Sequence, residues 1–174
     1  EELVKLETRT GVEQRFILIK PEKPVASVIL FAGGKGALDL SSLLGSPTIN
    51  WGKNNFLVRT RDLFAKNDFI VAVVDAPSDK QTKKGMLGGF RDSQEHVEDI
   101  DQVIDYLRKQ ADIPVWLIGT SRGTESATNI AINSNKQPYG LVLTSSMSVS
   151  NDKGTPVNDM DLEKIQIPTL IVAN

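Results

Sequence analysis

Two glycines flanking a serine at fixed spacing are the first sign of chemistry in this sequence. Gly119-Thr120-Ser121-Arg122-Gly123 matches G-x-S-x-G, the spacing of a nucleophile elbow, in which a serine hydroxyl on a sharp strand-to-helix turn can attack a carbonyl carbon. With glycine near 7% of residues and serine similar, the pentapeptide alone would arise by chance in roughly one chain in twenty of this length. Context raises its weight. An apolar run at 114–118 reads as the strand leading in, and 121–132 reads as the helix leading out. Such a turn strains the backbone at the serine, and the glycines on either side keep neighbouring elements from clashing. The helix aims its N-terminal dipole and free N–H groups at the site, which favours developing negative charge. The backbone N–H of Arg122 is the first expected donor.

A second constellation, Phe31-Ala32-Gly33-Gly34-Lys35-Gly36, follows directly on an apolar run. Glycines let a backbone approach a ligand closely and turn its N–H groups inward. In an acyl-transfer site this loop completes the oxyanion hole with a second backbone donor, at Gly34 or Lys35. A phosphate loop is the rival reading, but the Lys-Ser/Thr ending it needs is absent.

The remaining reactive side chains fit bland roles as well as chemical ones. His96 is the only histidine, and it precedes the serine on a predicted helix, so it is assigned to structure and not to base catalysis. Asp75, at the end of a strand, is expected to cap or brace the loop after it. The side chains of Arg122 and Lys35 could each hold a substrate carboxylate or pair with a nearby acid. Asp152, Asp159 and Asp161 follow a later strand, and a loop with several aspartates is more often simply solvated. With no cysteine and one histidine, disulfides and thiolate metal sites are excluded, and no spaced carboxylate cluster suggests a hard-metal site. No metal and no cofactor are expected.

These residues need a scaffold. The chain has 174 residues, 40% of them apolar and 24% charged, with a net charge of -2, which is the composition of a folded domain and not of a nucleic-acid-coating chain. One domain, 1–174, incomplete at its C-terminus, is the expectation. Alternating residues at 3–8 and 14–20 predict an antiparallel hairpin. After Pro24, short runs at 26–32, 69–74, 115–118, 140–143 and 169–172 read as strands buried on both faces. Helical patterns lie between them at 56–65, about 93–110 and 121–132. In the second, Val97, Ile100, Val103, Ile104 and Leu107 form one stripe, leaving Glu98, Asp99, Asp101 and Asp105 to face water. Strands alternating with helices imply an α/β fold, a mostly parallel sheet with helices on both faces. The apolar runs are too short to cross a bilayer. Two long loops, 33–55 and 76–91, leave the carboxyl ends of strands, where such folds place ligands. Their Leu38, Leu40, Leu43, Leu44, Trp51, Met86, Leu87 and Phe90 suit either an acyl or aromatic pocket or packing on their own domain.

In order, these elements resemble the α/β-hydrolases: strand, Gly-Gly loop, helix, strand ending in Val74-Asp75, long helix, strand, G-T-S-R-G, helix, strand. The segment from Phe90 through Arg91-Asp92-Ser93 to His96, Asp99 and Ile100 is similar to the helix before the elbow in esterase-like and dienelactone-hydrolase-like members. The resemblance implies a serine nucleophile, an acid and a histidine base in that chain order. Here it departs from the family, because no histidine follows Ser121. The catalytic Asp and His are therefore expected beyond Asn174, in a C-terminal polypeptide that completes the domain. The activity implied is a serine hydrolase acting on a carboxylic ester, or a thioester or amide, of a small-molecule acyl substrate. A peptidase of the same fold and a non-catalytic ligand-binding protein are the alternatives. No nucleic-acid partner and no membrane span are expected. A first residue of Glu1 fits removal of a signal peptide, which suggests a periplasmic or secreted protein, with the cytoplasm as the alternative.

Overall fold

Alternate residues along the apolar runs have to be buried on opposite sides, and the structure achieves this with one sheet between two layers of helix. The computed structural model describes residues 1–173. The predicted hairpin is β1 (Glu2–Arg9) and β2 (Val12–Ile19), followed by β3 (Ala26–Phe31), a small hairpin of β4 (Leu40–Leu43) and β5 (Ser46–Ile49), and α1 (Phe56–Ala65). Then come β6 (Phe69–Val74), α2 (Gln94–Gln110), β7 (Val115–Thr120), α3 (Gly123–Asn133), β8 (Gly140–Thr144) and β9 (Thr169–Val172). The sheet runs β1-β2-β6-β3-β7-β8-β9. It is antiparallel from β1 through β2 to β6 and parallel from β6 onward.

Register positions the site. Phe31 lies opposite Val74 on one side and Gly119 on the other, so β3, β6 and β7 end level with one another. The loops that begin at Ala32, Asp75 and Ser121 therefore leave the sheet side by side. On one face Val28, Leu30, Val71 and Val73 pack with Leu57 and Val58 of α1. On the other, Ile29, Phe31, Ile70, Ala72 and Leu117 meet Val97, Ile100, Val103, Ile104 and Leu107 of α2, and Ala127 and Ile130 of α3. Each aliphatic side chain fully buried this way is worth about 1.5–3 kcal/mol, so the level ends of the strands are held by the strongest term in the fold.

Several expectations need correction. Asp99 and Asp101 do not face water. Asp99 is fully buried and accepts from the Arg9 guanidinium at 2.9 Å on each oxygen, and also from the Thr8 hydroxyl. Asp101 accepts from the Ser134 hydroxyl at 2.5 Å. Helical periodicity reveals the stripe against the sheet but not the flanks that β1 and the end of α3 cover; a carboxylate survives there because it is paired. Helix α3 starts at Gly123 instead of Ser121, because the Ser121 φ of +50° lies outside the helical region. The 33–55 loop holds the β4–β5 hairpin, whose strands of four residues are too short to show a period. β9 is exposed, with Leu170, Ile171 and Val172 all at least 45% accessible, because it is the edge strand and pairs only with β8. No described helix is long and apolar enough to cross a membrane. The residues expected to carry the base and acid, beyond Asn174, lie outside the described residues.

Candidate active site

Between the end of β7 and the start of α3 only Ser121 and Arg122 remain to reverse the chain. Ser121 takes up the turn with a φ of +50°, a conformation that costs a non-glycine residue about 1–3 kcal/mol. Surrounding bonds impose it. Its N–H donates to the Thr144 carbonyl at 3.1 Å, and its carbonyl accepts the Thr124 N–H at 2.9 Å and the Thr124 hydroxyl at 2.5 Å. These bonds run through the backbone, which leaves the half-buried side chain uncommitted. The flanking glycines are dictated by contact. A Cβ on Gly123 would stand 2.0 Å from the Phe31 carbonyl oxygen, and one on Gly119 2.5 Å from the Gly123 oxygen. Close approach of α3 to the ends of β3 and β7 thus fixes the G-x-S-x-G pattern sterically.

The glycine loop after β3 faces this turn. A Cβ on Gly33 would lie 3.1 Å from Ser121 Cβ, 3.1 Å from the Thr120 carbonyl oxygen and 3.2 Å from Asn55 Nδ2. Among the described residues no acceptor receives the N–H of Gly34, Lys35 or Arg122. Gly33, Gly34, Lys35, Leu38, Gly52 and Asn55 line a cavity of 270 Å³. Two buried charged groups hold the loop. Asp75, expected to brace the loop after it, instead mainly braces this one: Oδ1 accepts the N–H groups of Leu38 at 2.6 Å and Ala76 at 2.8 Å, and Oδ2 that of Leu40 at 2.8 Å. Arg91 donates to the carbonyls of Ala32 at 2.9 Å and Gly34 at 3.2 Å, and to the Ser126 hydroxyl at 2.7 Å. It ties the glycine loop to α3. Burial lowers the Arg91 pKa to about 10, although Glu125 pulls it upward.

The other charged residues divide differently. Arg122 turns away from any substrate role for its side chain, donating to Glu125 at 3.0 Å and Asn151 at 2.7 Å. Burial raises the Glu125 pKa against the opposing pull of Arg91 and Arg122. Lys35 lies with its ammonium 3.6 Å from the centroid of the Trp51 ring. His96 is fully buried between Phe31 and Phe90, and neither ring nitrogen has a hydrogen-bond partner. Burial, reinforced by the charges of Arg91 and Arg9, pushes its pKa down to about 3. Such an imidazole is a core side chain. Asp152, Asp159 and Asp161 are exposed, and Asp161 pairs with Lys164 at 2.5 Å. Among the described residues no His, Cys, Asp and Glu cluster is gathered as metal ligands would be.

Loop packing accounts for much of the apolar content of the long loops. Leu38, Leu40 and Met86 are buried against the domain, whereas Leu43 and Leu44 stand exposed at the tip of the small hairpin. Two residues at the site had no role assigned from the sequence. Arg91 figured only within the segment similar to the helix before the elbow, since nothing local distinguishes a buried arginine from a solvated one. Asn55 looked like loop, and only its position before the 56–65 helix marked it out.

No protein-family model matches the chain, and no curated protein matches its sequence. Solved structures do resemble it. A serine hydrolase without a lid from Xanthomonas campestris is 19% identical with a TM-score of 0.58, covering 98% of this chain and 69% of its own. A thermostable carboxyl esterase from Bacillus coagulans is 17% identical with a TM-score of 0.57, covering 84% of this chain and 44% of its own. Dipeptidyl peptidase 4 from Porphyromonas gingivalis is 12% identical with a TM-score of 0.62, covering 99% of this chain and 27% of its own. This chain thus spans less than half of the esterase and about a quarter of the peptidase. At these identities the likeness establishes the fold, which is that of the α/β-hydrolases.

Proposed function

We propose that the chain carries the nucleophile and oxyanion hole of a serine hydrolase that cleaves a carboxylic ester. The observation that carries the reading is the conjunction at Ser121: a positive φ, an uncommitted side chain, and a glycine loop facing it whose Gly34 and Lys35 N–H groups meet no acceptor among the described residues. In this reading Ser121 Oγ bonds to the acyl carbon while its proton passes to an imidazole base. The carbonyl π pair moves onto oxygen, which accepts from the N–H of Arg122 and of Gly34 or Lys35. Collapse of this intermediate breaks the bond to the leaving alkoxide, which takes the proton from the imidazole. Water then releases the acid by the same steps. No base is assigned among the described residues, since the His96 imidazole is sealed in the core. Hydrolases and an esterase among the structures of this fold support the class. Ester preference over amide rests on the resemblance described above.

A fluorophosphonate bonds covalently to an activated serine. In the intact protein it is expected to label Ser121, and Ser121→Ala is expected to lose both labelling and hydrolysis of short-chain esters. An unlabelled parent, or an alanine variant as active as the parent, refutes the reading and favours the second one, a ligand-binding protein that keeps the turn without the chemistry. That alternative draws its support from His96, which offers Ser121 no base.

A further inference from the structure

We propose that Asn55 is a catalytic residue whose side-chain amide nitrogen donates a hydrogen bond to the carbonyl oxygen attacked by Ser121. The proposal rests on the serine-hydrolase reading. It begins with a helix cap that is not used as one. Asparagine is preferred ahead of a helix because its side-chain oxygen accepts a free N–H of the first turn. Asn55 holds that place before α1, with φ at -56° and ψ at 141°, yet its side chain makes no capping bond. The backbone alone anchors it: the N–H donates to the Gly52 carbonyl at 2.8 Å, and the carbonyl accepts from the Arg59 N–H at 2.9 Å.

The side chain reaches towards the serine. Asn55 Nδ2 lies 3.2 Å, and Ser121 Cβ 3.1 Å, from the one point that a Cβ on Gly33 would occupy. Amide and serine therefore border a single slot, kept open by the missing side chain of Gly33. The amide oxygen is buried and has no donor, so the NH2 end is the one presented to a ligand, and it lines the 270 Å³ cavity with the glycine loop. Forgoing the cap and leaving a buried oxygen unpaired both cost stability. A side chain kept for structure would avoid both. In this proposal the oxygen of an acyl group bonded to Ser121 Oγ enters this slot, which the Thr120 carbonyl oxygen also borders at 3.1 Å. Its negative charge grows as the Oγ–C bond forms, so a donor already in place there favours the transition state over the bound ester.

The test uses the intact protein and the variants Asn55→Ala and Asn55→Asp, the second having nearly the same shape but no donor. On a short-chain p-nitrophenyl ester, kcat is expected to fall about 100-fold or more, the range seen for loss of one oxyanion donor. KM should stay within about threefold. The rate of fluorophosphonate labelling should fall in parallel, because the phosphonyl oxygen occupies the same place. Melting temperatures should not fall. The proposal is overturned if both variants keep kcat and labelling within about threefold of the parent, or if the loss lies in KM alone. It is also overturned if activity and melting temperature drop together in both variants, which would mark a structural role. A labelled parent with equally labelled variants defeats the Asn55 role alone, whereas an unlabelled parent defeats the serine-hydrolase reading and this role with it.

Discussion

Replacing Gly123 by alanine tests whether backbone contact, and not turn propensity, dictates the glycines around Ser121. The added Cβ would meet the Phe31 carbonyl oxygen at 2.0 Å and its carbon at 2.8 Å, where real Cβ contacts essentially never fall below 3.0 Å. The deficit to be relieved is therefore about 1 Å. Neither obstacle is a side chain that could change rotamer; both belong to the central strand β3. Helix α3 would have to lift from the sheet, and with it the buried Ala127 and Ile130. Overpacking a core usually costs about 1–3 kcal/mol, and an obstacle made of backbone puts this case at the upper end or beyond. At an m-value of about 2 kcal/mol per M urea, 3 kcal/mol moves the unfolding midpoint down by roughly 1.5 M. Gly11→Ala is the control. Gly11 has a φ of +72° and nothing within 4 Å of its would-be Cβ, so it should cost only the left-handed conformational penalty of about 1–2 kcal/mol. Urea unfolding followed by circular dichroism compares the two. If Gly123→Ala unfolds at or above the midpoint of Gly11→Ala, the contact argument for the G-x-S-x-G pattern is wrong.

Two further predictions concern groups behind the site. Asp75→Ala strands the N–H groups of Leu38, Leu40 and Ala76, each at about 1–3 kcal/mol if left unpaired, so thermal unfolding should shift down by at least the equivalent of about 3 kcal/mol; an unchanged Tm would mean the loop is braced elsewhere. His96 has a folded pKa of about 3 against an ordinary 6.5, so between these values the unfolded chain binds the proton that the folded one refuses. Its contribution to stability is intact above pH 6.5 and is lost as pH falls towards 3. His96→Phe should therefore lose less stability than the parent between pH 7.5 and pH 5 in urea titrations, and an equal loss in both proteins would count against a neutral, buried imidazole.

The strand and helix pattern was legible in the sequence because it depends on local spacing. The runs at 56–65 and 69–74 form the elements predicted, 169–172 forms a strand but an exposed one, and the leading hairpin forms where alternation placed it. Ser121 was legible for the same reason: a strand, two glycines and a helix are neighbours along the chain. The place of Asp75 at a strand end suggested a brace for the loop after it, but two of the three N–H groups it holds belong to the loop after β3. Tertiary packing decided the rest. Asp99 and Asp101 looked solvated because periodicity describes one face of a helix and not the strand and helix end laid across its flanks. Arg91 and Asn55 reach the glycine loop from 59 and 22 residues downstream of Ala32 and Gly33, distances over which no local pattern operates. The level ends of β3, β6 and β7 bring them together, and that alignment exists only once the parallel pairs have formed. Local spacing therefore located the turn between strand and helix at Ser121, while strand register selected the groups that surround it.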